Sequence, residues 1–323
     1  MKFEDKVYGL EEINEPILIE LINSKAIQRL KDISQRGLPI RYSPQPYFSR
    51  YEHSIGVMIL LRRLGADIKE QIAGLLHDVS HPTFSHLIDW VVGDPEKQEH
   101  QDNLYETILN NSDIPLILKN MGFEVLDFID LNKYSLLERD APCLCADRVD
   151  YCLRDIVAYG GKIISDNIIK HIKRYGGQIV FDLPSAAYNF AHEYASLQRH
   201  SWGNDEFIVR YSIFAKILKR ALEIGLIKEN DFFGVESNIL SRIENTNDLL
   251  IKENLDLLIK GFLLNYNLHN GIIVKCKFRF VNPEILIDGS VKKLSEIDQF
   301  YSSKLELQKS LFKEIKYVEI IPK

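Results

Sequence analysis

The chain has 323 residues, 46% of them apolar and 27% charged, a globular composition that excludes disordered, collagenous and low-complexity readings. Forty Lys and Arg against 46 Asp and Glu leave a net charge of −6, so there is no global electrostatic footprint for duplex nucleic acid, and a phosphate-bearing ligand needs a local site. The four cysteines are Cys143, Cys145, Cys152 and Cys276, a number and spacing that argue against a secreted disulfide framework and for a reducing compartment.

The chain opens Met1-Lys-Phe-Glu-Asp-Lys-Val-Tyr, with acidic residues where a signal peptide would carry its apolar stretch. No later run approaches the roughly 18 apolar residues of a membrane span, so the expectation is a cytoplasmic protein with no membrane partner. Ile17, Leu18, Leu21, Ile22, Ala26, Ile27 and Leu30 recur at helical steps, which predicts a first helix. The prolines of Gly37-Leu-Pro-Ile-Arg-Tyr-Ser-Pro-Gln-Pro-Tyr predict an extended loop after it. Ile55, Val57, Leu60, Leu61 and Leu64, then Ile72, Leu75 and Leu76, resume the helical period, and helices are expected to about Ile156. Arg174-Tyr-Gly-Gly-Gln-Ile-Val-Phe reads as the centre of a hairpin within 172–182, followed by a long helical stretch from about Ser185 to Ile224. Near the C-terminus the period changes to two. Ile272, Val274, Cys276, Phe278 and Phe280 fall on one side and Lys275, Lys277 and Arg279 on the other, which predicts a half-buried strand, and Tyr317-Val-Glu-Ile-Ile predicts another. The expected fold is mainly α, with a helical domain over 1–225 (core about 45–160) and a small α+β lobe over 226–323.

Three stretches carry chemistry. His53, in Arg50-Tyr-Glu-His-Ser-Ile-Gly-Val, shares a helical face with Val57 and Leu60. A lone histidine there is more often a hydrogen-bonded core residue than a ligand. A second helix buries Leu75 and Leu76 and then reaches His77 and Asp78, and a buried ionised carboxylate costs several kcal/mol unless it is paired or metal-bound. His81, His86 and Asp89 follow within a few residues, and such a cluster points to a metal or catalytic site. The third stretch is Asp147-Arg-Val-Asp-Tyr-Cys-Leu-Arg-Asp155, where Asp147, Tyr151, Arg154 and Asp155 form a polar stripe. Such a stripe is most often a solvated face, but two histidines and an aspartate need a distant fourth ligand, and Asp147 suits that role. Gly160-Gly-Lys lacks the other residues of a P-loop, and Cys143-Leu-Cys is too short for a structural zinc site.

In order, these stretches resemble those of the HD-domain phosphohydrolases, whose ligands run H…HD…D. They are most similar to the deoxynucleoside triphosphate triphosphohydrolase branch, which includes the sterile-alpha-motif and HD-domain enzyme. That branch carries R-[FY]-E-H-S-x-G-V, H-D-x-x-H-x-x-F-S-H and D-x-x-D-Y-x-x-R-D, and Asp5-Lys-Val-Tyr-Gly and Ile27-Gln-Arg-Leu also resemble its opening. The resemblance covers about residues 5–225. It implies an HD helical bundle and a divalent metal (Mn, Fe, Zn or Mg) held by His53, His77, Asp78 and Asp147. It also implies water attack at the α-phosphate of a nucleotide substrate, releasing triphosphate. By the same resemblance His100 is the catalytic histidine with Asp89 as its carboxylate partner, and His81 and Arg50 contact phosphate. Arg148 stands where a lysine is common, Tyr151 and Asp155 match the pair that holds the sugar, and Gln35 matches a substrate-contacting glutamine. Homo-oligomers are common in the branch. The chain departs from the pattern at Pro82, where glycine is usual, and at Gln101, where glutamate is usual. It also departs at Asn23, where relatives activated by guanine nucleotides carry aspartate. Two other functions stay open: an HD phosphomonoesterase or nucleotidase acting on another phosphoester, and a catalytically weak regulator. The regulator would bind nucleotide or, through Lys275, Lys277 and Arg279, single-stranded nucleic acid.

Overall fold

The computed structural model describes residues 1–93, 100–267, 271–312 and 315–323. A hairpin of β1 (Lys2–Asp5) and β2 (Gly9–Glu12) precedes α1 (Pro16–Ile22) and α2 (Lys25–Arg29). The single helix expected over Ile17–Leu30 is thus two. Asn23 bonds its side chain back to Ile19 O (2.9 Å), and the Ser24 hydroxyl accepts from Ile27 N (3.3 Å), so polar side chains end one helix and start the next. The proline-rich loop is irregular apart from one short turn at Ile40–Tyr42, as its composition predicts.

The centre is α3 (Arg50–Arg63), α4 (Ile68–Leu76), α5 (His100–Asn110), α6 (Ile114–Asn120), α7 (Ala146–Ala158) and α8 (Lys162–Lys170). A reciprocal capping box starts α3: Ser49 Oγ accepts from Glu52 N and Glu52 Oε2 accepts from Ser49 N (2.8 Å). Gly56 lets α3 and α7 meet, because a Cβ there would lie 1.8 Å from Arg154 Nη2 and 2.2 Å from Asp150 Oδ1. The expected hairpin is β3 (Ile172–Tyr175) with β4 (Gln178–Phe181), paired from Ile172↔Phe181 to Tyr175↔Gln178. The helical stretch after it is α9 (Pro184–Leu197) and α10 (Asp205–Glu223), separated by a π turn at Gln198–Trp202.

The remaining elements are α11 (Glu236–Asn245), α12 (Leu249–Lys260), β5 (Phe262–Asn267), β6 (Ile272–Val274), β7 (Glu284–Ile287), β8 (Ser290–Lys293), α13 (Leu294–Ile297), α14 (Gln299–Leu311) and β9 (Lys316–Pro322). They build two small sheets, β3-β4-β7-β8 and β5-β9-β6. The fold is mainly α with a small α+β part, as the periodicity predicts. Both hydrophobic cores draw on distant parts of the chain. One joins Leu18, Ile55, Ile72 and Val149 to Ile285 and Tyr301, and the other joins Leu38, Phe84 and Leu87 to Phe214, Ile251 and Val318. No helix among the described residues is long and apolar enough to cross a membrane.

The strand expected over 272–280 stops at Val274. Beyond it, backbone groups that would enter a ladder are taken by one buried side chain. Gln198 Oε1 accepts from Arg279 N (3.2 Å), and Gln198 Nε2 donates to Lys277 O (3.4 Å). The alternating pattern survives while the strand does not, because the partner is a side-chain amide.

Candidate metal centre and active site

His53 lies on the first turn of α3, facing α7, and is fully buried. Its Nδ1 is 2.7 Å from Asp150 Oδ2, and its Nε2 is 2.9 Å from Asp147 Oδ1. His77 caps the C-terminus of α4, with Nδ1 2.7 Å from Gly74 O and Nε2 3.2 Å from His53 Nε2. A carbonyl only accepts, so Nδ1 of His77 carries the hydrogen, and the Asp150 carboxylate assigns the same tautomer to His53. Both Nε2 lone pairs then face each other and the Asp147 carboxylate. Asp78 completes the ring, 3.5 Å from His77 Nε2 and 3.8 Å from His53 Nε2. Two imidazole nitrogens and two carboxylates converge, with Arg50 donating to Asp78 Oδ2 from one side. Burial works against a charged His53, yet the bonds from Asp147 and Asp150 outweigh it and push its pKa up to about 9. The cluster therefore suits a cation. Two imidazoles and two carboxylates suit a divalent Mn, Fe, Zn or Mg ion, and His53, His77 and Asp147 place one donor atom each within 4.8 Å of one another.

Arg50 opens α3 and reaches three parts of the site: Asp78 Oδ2 (2.7 Å), Ser85 Oγ (2.9 Å) and Gln35 O (3.3 Å). Burial opposes ionisation of Asp78, but Arg50 and the imidazoles of His77 and His81 hold its carboxyl well below the usual range. His81 Nε2 is 3.3 Å from Asp78 Oδ1, and its buried Nδ1 has no hydrogen-bond partner among the described residues. Burial, then the charge of Arg50, keeps the His81 imidazole neutral. The turn carrying these residues is strained, with Phe84 at φ 62° and Ser85 at φ 45°. Two residues not anticipated from the sequence hold it. Arg29 donates to Val79 O (2.9 Å), His81 O (2.8 Å) and Gly234 O (3.1 Å), while Glu236 Oε1 accepts from Phe84 N (3.0 Å) and Ser34 N (2.8 Å).

Glu236 gives the fold a pH dependence. Burial outweighs its two backbone donors and pushes its carboxyl from 4.5 up to about 8, with Asp32 adding to the rise and Arg50 opposing it. The folded state then keeps a proton that the unfolded state has lost. This contribution is complete below about pH 4.5 and is lost as pH rises through about 8. In thermal melts from pH 5 to 9, Glu236→Gln is expected to gain roughly 2–4 kcal/mol on the native protein toward the alkaline end. Parallel curves for the two proteins would sink the assignment.

Beyond the metal cluster on α7, Tyr151 shares a short hydroxyl bond with Tyr194 and meets the edge of Trp202 at 5.2 Å. Asp155 is buried, paired with Arg36 and bonded by Trp202 Nε1 (2.5 Å). Gln35 Oε1 is a buried atom without a hydrogen-bond partner among the described residues. Arg148 turns toward backbone, donating to Arg139 O (3.2 Å) and Cys143 O, with the Cys145 sulfur 3.2 Å away. Glu138 stands beside it, and burial together with the Asp147 charge pushes its carboxyl up to about 7. Burial raises the pKa of the Cys145 thiol, which lies with Glu138 and Asp147 in a second group of close potential metal donors. Asp89 Oδ2 is 3.4 Å from His86 Nδ1. His100 opens α5, and its side chain lies outside the described residues.

The polar stripe of α7 is not a solvated face, since Arg154 and Asp155 are buried and Asp147 and Tyr151 half-buried. Asp150 had a local signal, three residues after Asp147 and four before Arg154. Arg36, Gln198 and Trp202 had none, because each meets the site across at least 40 residues.

Residues 50–155 match the HD domain family. The chain is 34% identical over 307 residues to the protein YdhJ of Bacillus subtilis, covering 93% of each. It is 32% identical over 233 residues to the metal-dependent phosphohydrolase cns2 of Cordyceps militaris, covering 70% of this chain and 67% of that one. A shorter likeness, 32% over 142 residues, spans 37% of this chain and 21% of the deoxynucleoside triphosphate triphosphohydrolase SAMHD1 of Mus musculus. Among solved structures, a phosphohydrolase from Bacteroides thetaiotaomicron shares the fold over 100% of both chains, with a TM-score of 0.72 at 18% identity. The convergence of His53, His77, Asp78 and Asp147 within the matched segment agrees with these relationships, and the chain belongs to the HD-domain family of metal-dependent phosphohydrolases.

Proposed function

We propose that the chain hydrolyses deoxynucleoside triphosphates to deoxynucleoside and triphosphate, with His53, His77, Asp78 and Asp147 as the metal ligands. The observation that carries a metal-dependent hydrolysis is the convergence of two imidazole lone pairs and two carboxylates. The partial likeness to a triphosphohydrolase supports the finer choice of substrate. A divalent ion held by His53, His77, Asp78 and Asp147 would polarise a phosphate oxygen and lower the pKa of an attacking water. The chain's own residues do the rest. Asp150 and Gly74 O fix the tautomers of the two histidines, and Arg50 fixes Asp78. Neutral His81 faces Asp78 Oδ1 through Nε2, and its buried Nδ1 has no hydrogen-bond partner among the described residues. Arg148 and Tyr151, one and four residues beyond Asp147 on α7, border the phosphate and sugar, with Gln35 and Asp155 on the sugar side. His100, supported by Asp89, protonates the leaving oxygen.

A second reading, hydrolysis of another nucleotide phosphoester, is favoured by Asp155, whose pairing with Arg36 and bond from Trp202 leave fewer acceptor positions for a sugar hydroxyl. Incubation with each dNTP, NTP and nucleoside monophosphate, plus Mn²⁺ or Mg²⁺, separates the two when products are resolved by ion exchange. Deoxynucleoside plus triphosphate is the expected result. Pyrophosphate or orthophosphate as the first product would overturn the triphosphohydrolase reading, and turnover of monophosphates alone would install the second.

A further inference from the structure

Asp147, Tyr151 and Asp155 succeed one another at four-residue steps, so they stand in line along one face of α7, leading away from the metal cluster. The Tyr151 ring is 6.4 Å from the His53 ring and 5.2 Å from the Trp202 ring. A nucleotide with its α-phosphate at the metal and its sugar along this face reaches Asp155, the carboxylate at the far end of the line. A 2′-deoxynucleoside triphosphate has one free sugar hydroxyl to offer it, the 3′.

That carboxylate is already occupied. Oδ1 accepts from Arg36 Nη2, and Oδ2 accepts from Trp202 Nε1 (2.5 Å). The pair is interior, with side chains 9% exposed for Arg36 and 2% for Asp155, so the remaining lone pairs of Asp155 do not open on the pocket. Arg36 in turn is fixed by several elements. Its Nη1 donates to Gln45 Oε1 (2.6 Å) and to the Tyr159 hydroxyl (3.3 Å), and the Tyr159 ring lies 5.4 Å from the guanidinium carbon. Gln45 is itself bound to Ser201, donating to its backbone oxygen (3.0 Å) and accepting from its hydroxyl (3.2 Å). The main chain cannot back away either: the Tyr211 hydroxyl donates to Arg36 O, and a Cβ at Gly37 would lie 2.2 Å from Phe84 O. Separating a buried ion pair leaves two uncompensated charges, a larger cost than the bond of a neutral hydroxyl returns. A sugar hydroxyl therefore does not displace Arg36.

We propose that Arg36 determines specificity at the sugar end of the pocket: by holding Asp155 it withholds that carboxylate from the ligand, so the protein takes nucleotides with or without a 3′-hydroxyl. The proposal rests on the reading above, in which a nucleotide lies along α7, and adds the class of sugar that is accepted.

The test gives the full chain, with Mn²⁺, 2′-deoxyguanosine triphosphate and its 2′,3′-dideoxy counterpart, and compares kcat/KM for the two in the native protein, Arg36→Gln and Arg36→Lys. Calorimetric titration of the metal-free proteins with the same nucleotides reads the pocket without turnover. In the native protein the two nucleotides are expected to agree within about threefold, since no charged acceptor distinguishes them. Arg36→Gln frees Asp155 Oδ1, and a preference for the 3′-hydroxyl of about 10- to 100-fold should appear, as for a hydrogen bond to a charged group. Arg36→Lys keeps a cation on Asp155 and should stay near the native ratio. A purely structural role for Arg36 would lower both nucleotides together and leave their ratio unmoved. Two results overturn the proposal: an unmoved ratio in folded Arg36→Gln, or a native preference for the 3′-hydroxyl above about tenfold, which is decisive even if that variant does not fold. Triphosphate release with such a native preference would remove the role of Arg36 and leave the triphosphohydrolase reading. The expected ratios in binding, without triphosphate release, would do the reverse, and a protein that binds neither nucleotide would overturn both.

Discussion

His77→Ala and Asp147→Ala are each expected to lower phosphoester hydrolysis by about a thousandfold or more and to lose the bound divalent ion. The reason is the geometry of the acceptors. His77 Nε2 and Asp147 Oδ1 both lie within 3.2 Å of His53 Nε2, so removing either one opens a gap in the donor ring that the remaining groups cannot close. In the metal-free protein the same acceptors hold a proton, with His53 titrating near 9. Metal uptake near pH 7 should therefore release protons, and affinity should weaken as pH falls. Metal content after gel filtration, proton release in weakly buffered solution and initial rates give three separate readings. Full metal occupancy with near-native rates in both variants would sink the ligand assignment.

Asp150 carries the second large effect, although it touches no substrate. One oxygen, Oδ2, accepts from both His53 Nδ1 (2.7 Å) and Arg154 Nε (2.7 Å), and Arg154 continues to Asp5 Oδ2 (2.8 Å). Asp5 Oδ1 in turn accepts from Val7 N (2.8 Å) and Tyr8 N (2.9 Å), which fixes the turn of the β1-β2 hairpin. Asp150→Ala leaves the His53 Nδ1–H and Arg154 Nε–H without their acceptor, with Asp5 as the remaining carboxylate on Arg154, and removing one partner from a buried ion network costs up to about 3–5 kcal/mol. Asp150→Asn keeps the shape but weakens the acceptor that sets the His53 tautomer, so metal affinity should drop about 10- to 100-fold with a smaller loss of stability. Denaturant titration and metal titration of the two variants separate these effects. Native-like stability in the alanine variant together with unchanged metal affinity in the asparagine variant would show that the network does neither job.

The pieces of the fold that local spacing could specify were readable in advance. The apolar periods of α3 and α4, the prolines of the 37–47 loop and the Gly-Gly turn of the β3-β4 hairpin each act over a few residues, so their physics is present in the segment itself. The His77-Asp78 pair at a buried helix end was readable for a related reason, because a buried carboxylate is costly unless something binds it, whereas the set of His53, His77, Asp78 and Asp147 came from the family resemblance. Where the reading failed, a competing partner from elsewhere had won. Gln198 took the backbone of Lys277 and Arg279 away from a strand, and burial of Arg154 against Asp150 and Asp5 turned an apparent surface stripe into an interior network.

By itself the sequence determined which segments are helical, since that follows from spacings within one or two turns, and the order of its motifs, by resemblance, named the residues that can offer metal donors. Only the tertiary structure decided how those donors are oriented and what surrounds them. Asp150 sets the His53 tautomer across 97 residues, Glu236 holds the strained turn across 152, and Arg36 pairs with Asp155 across 119. Hydrogen-bond direction and charge pairing depend on which distant groups are desolvated together, and that is settled only when the helices have packed.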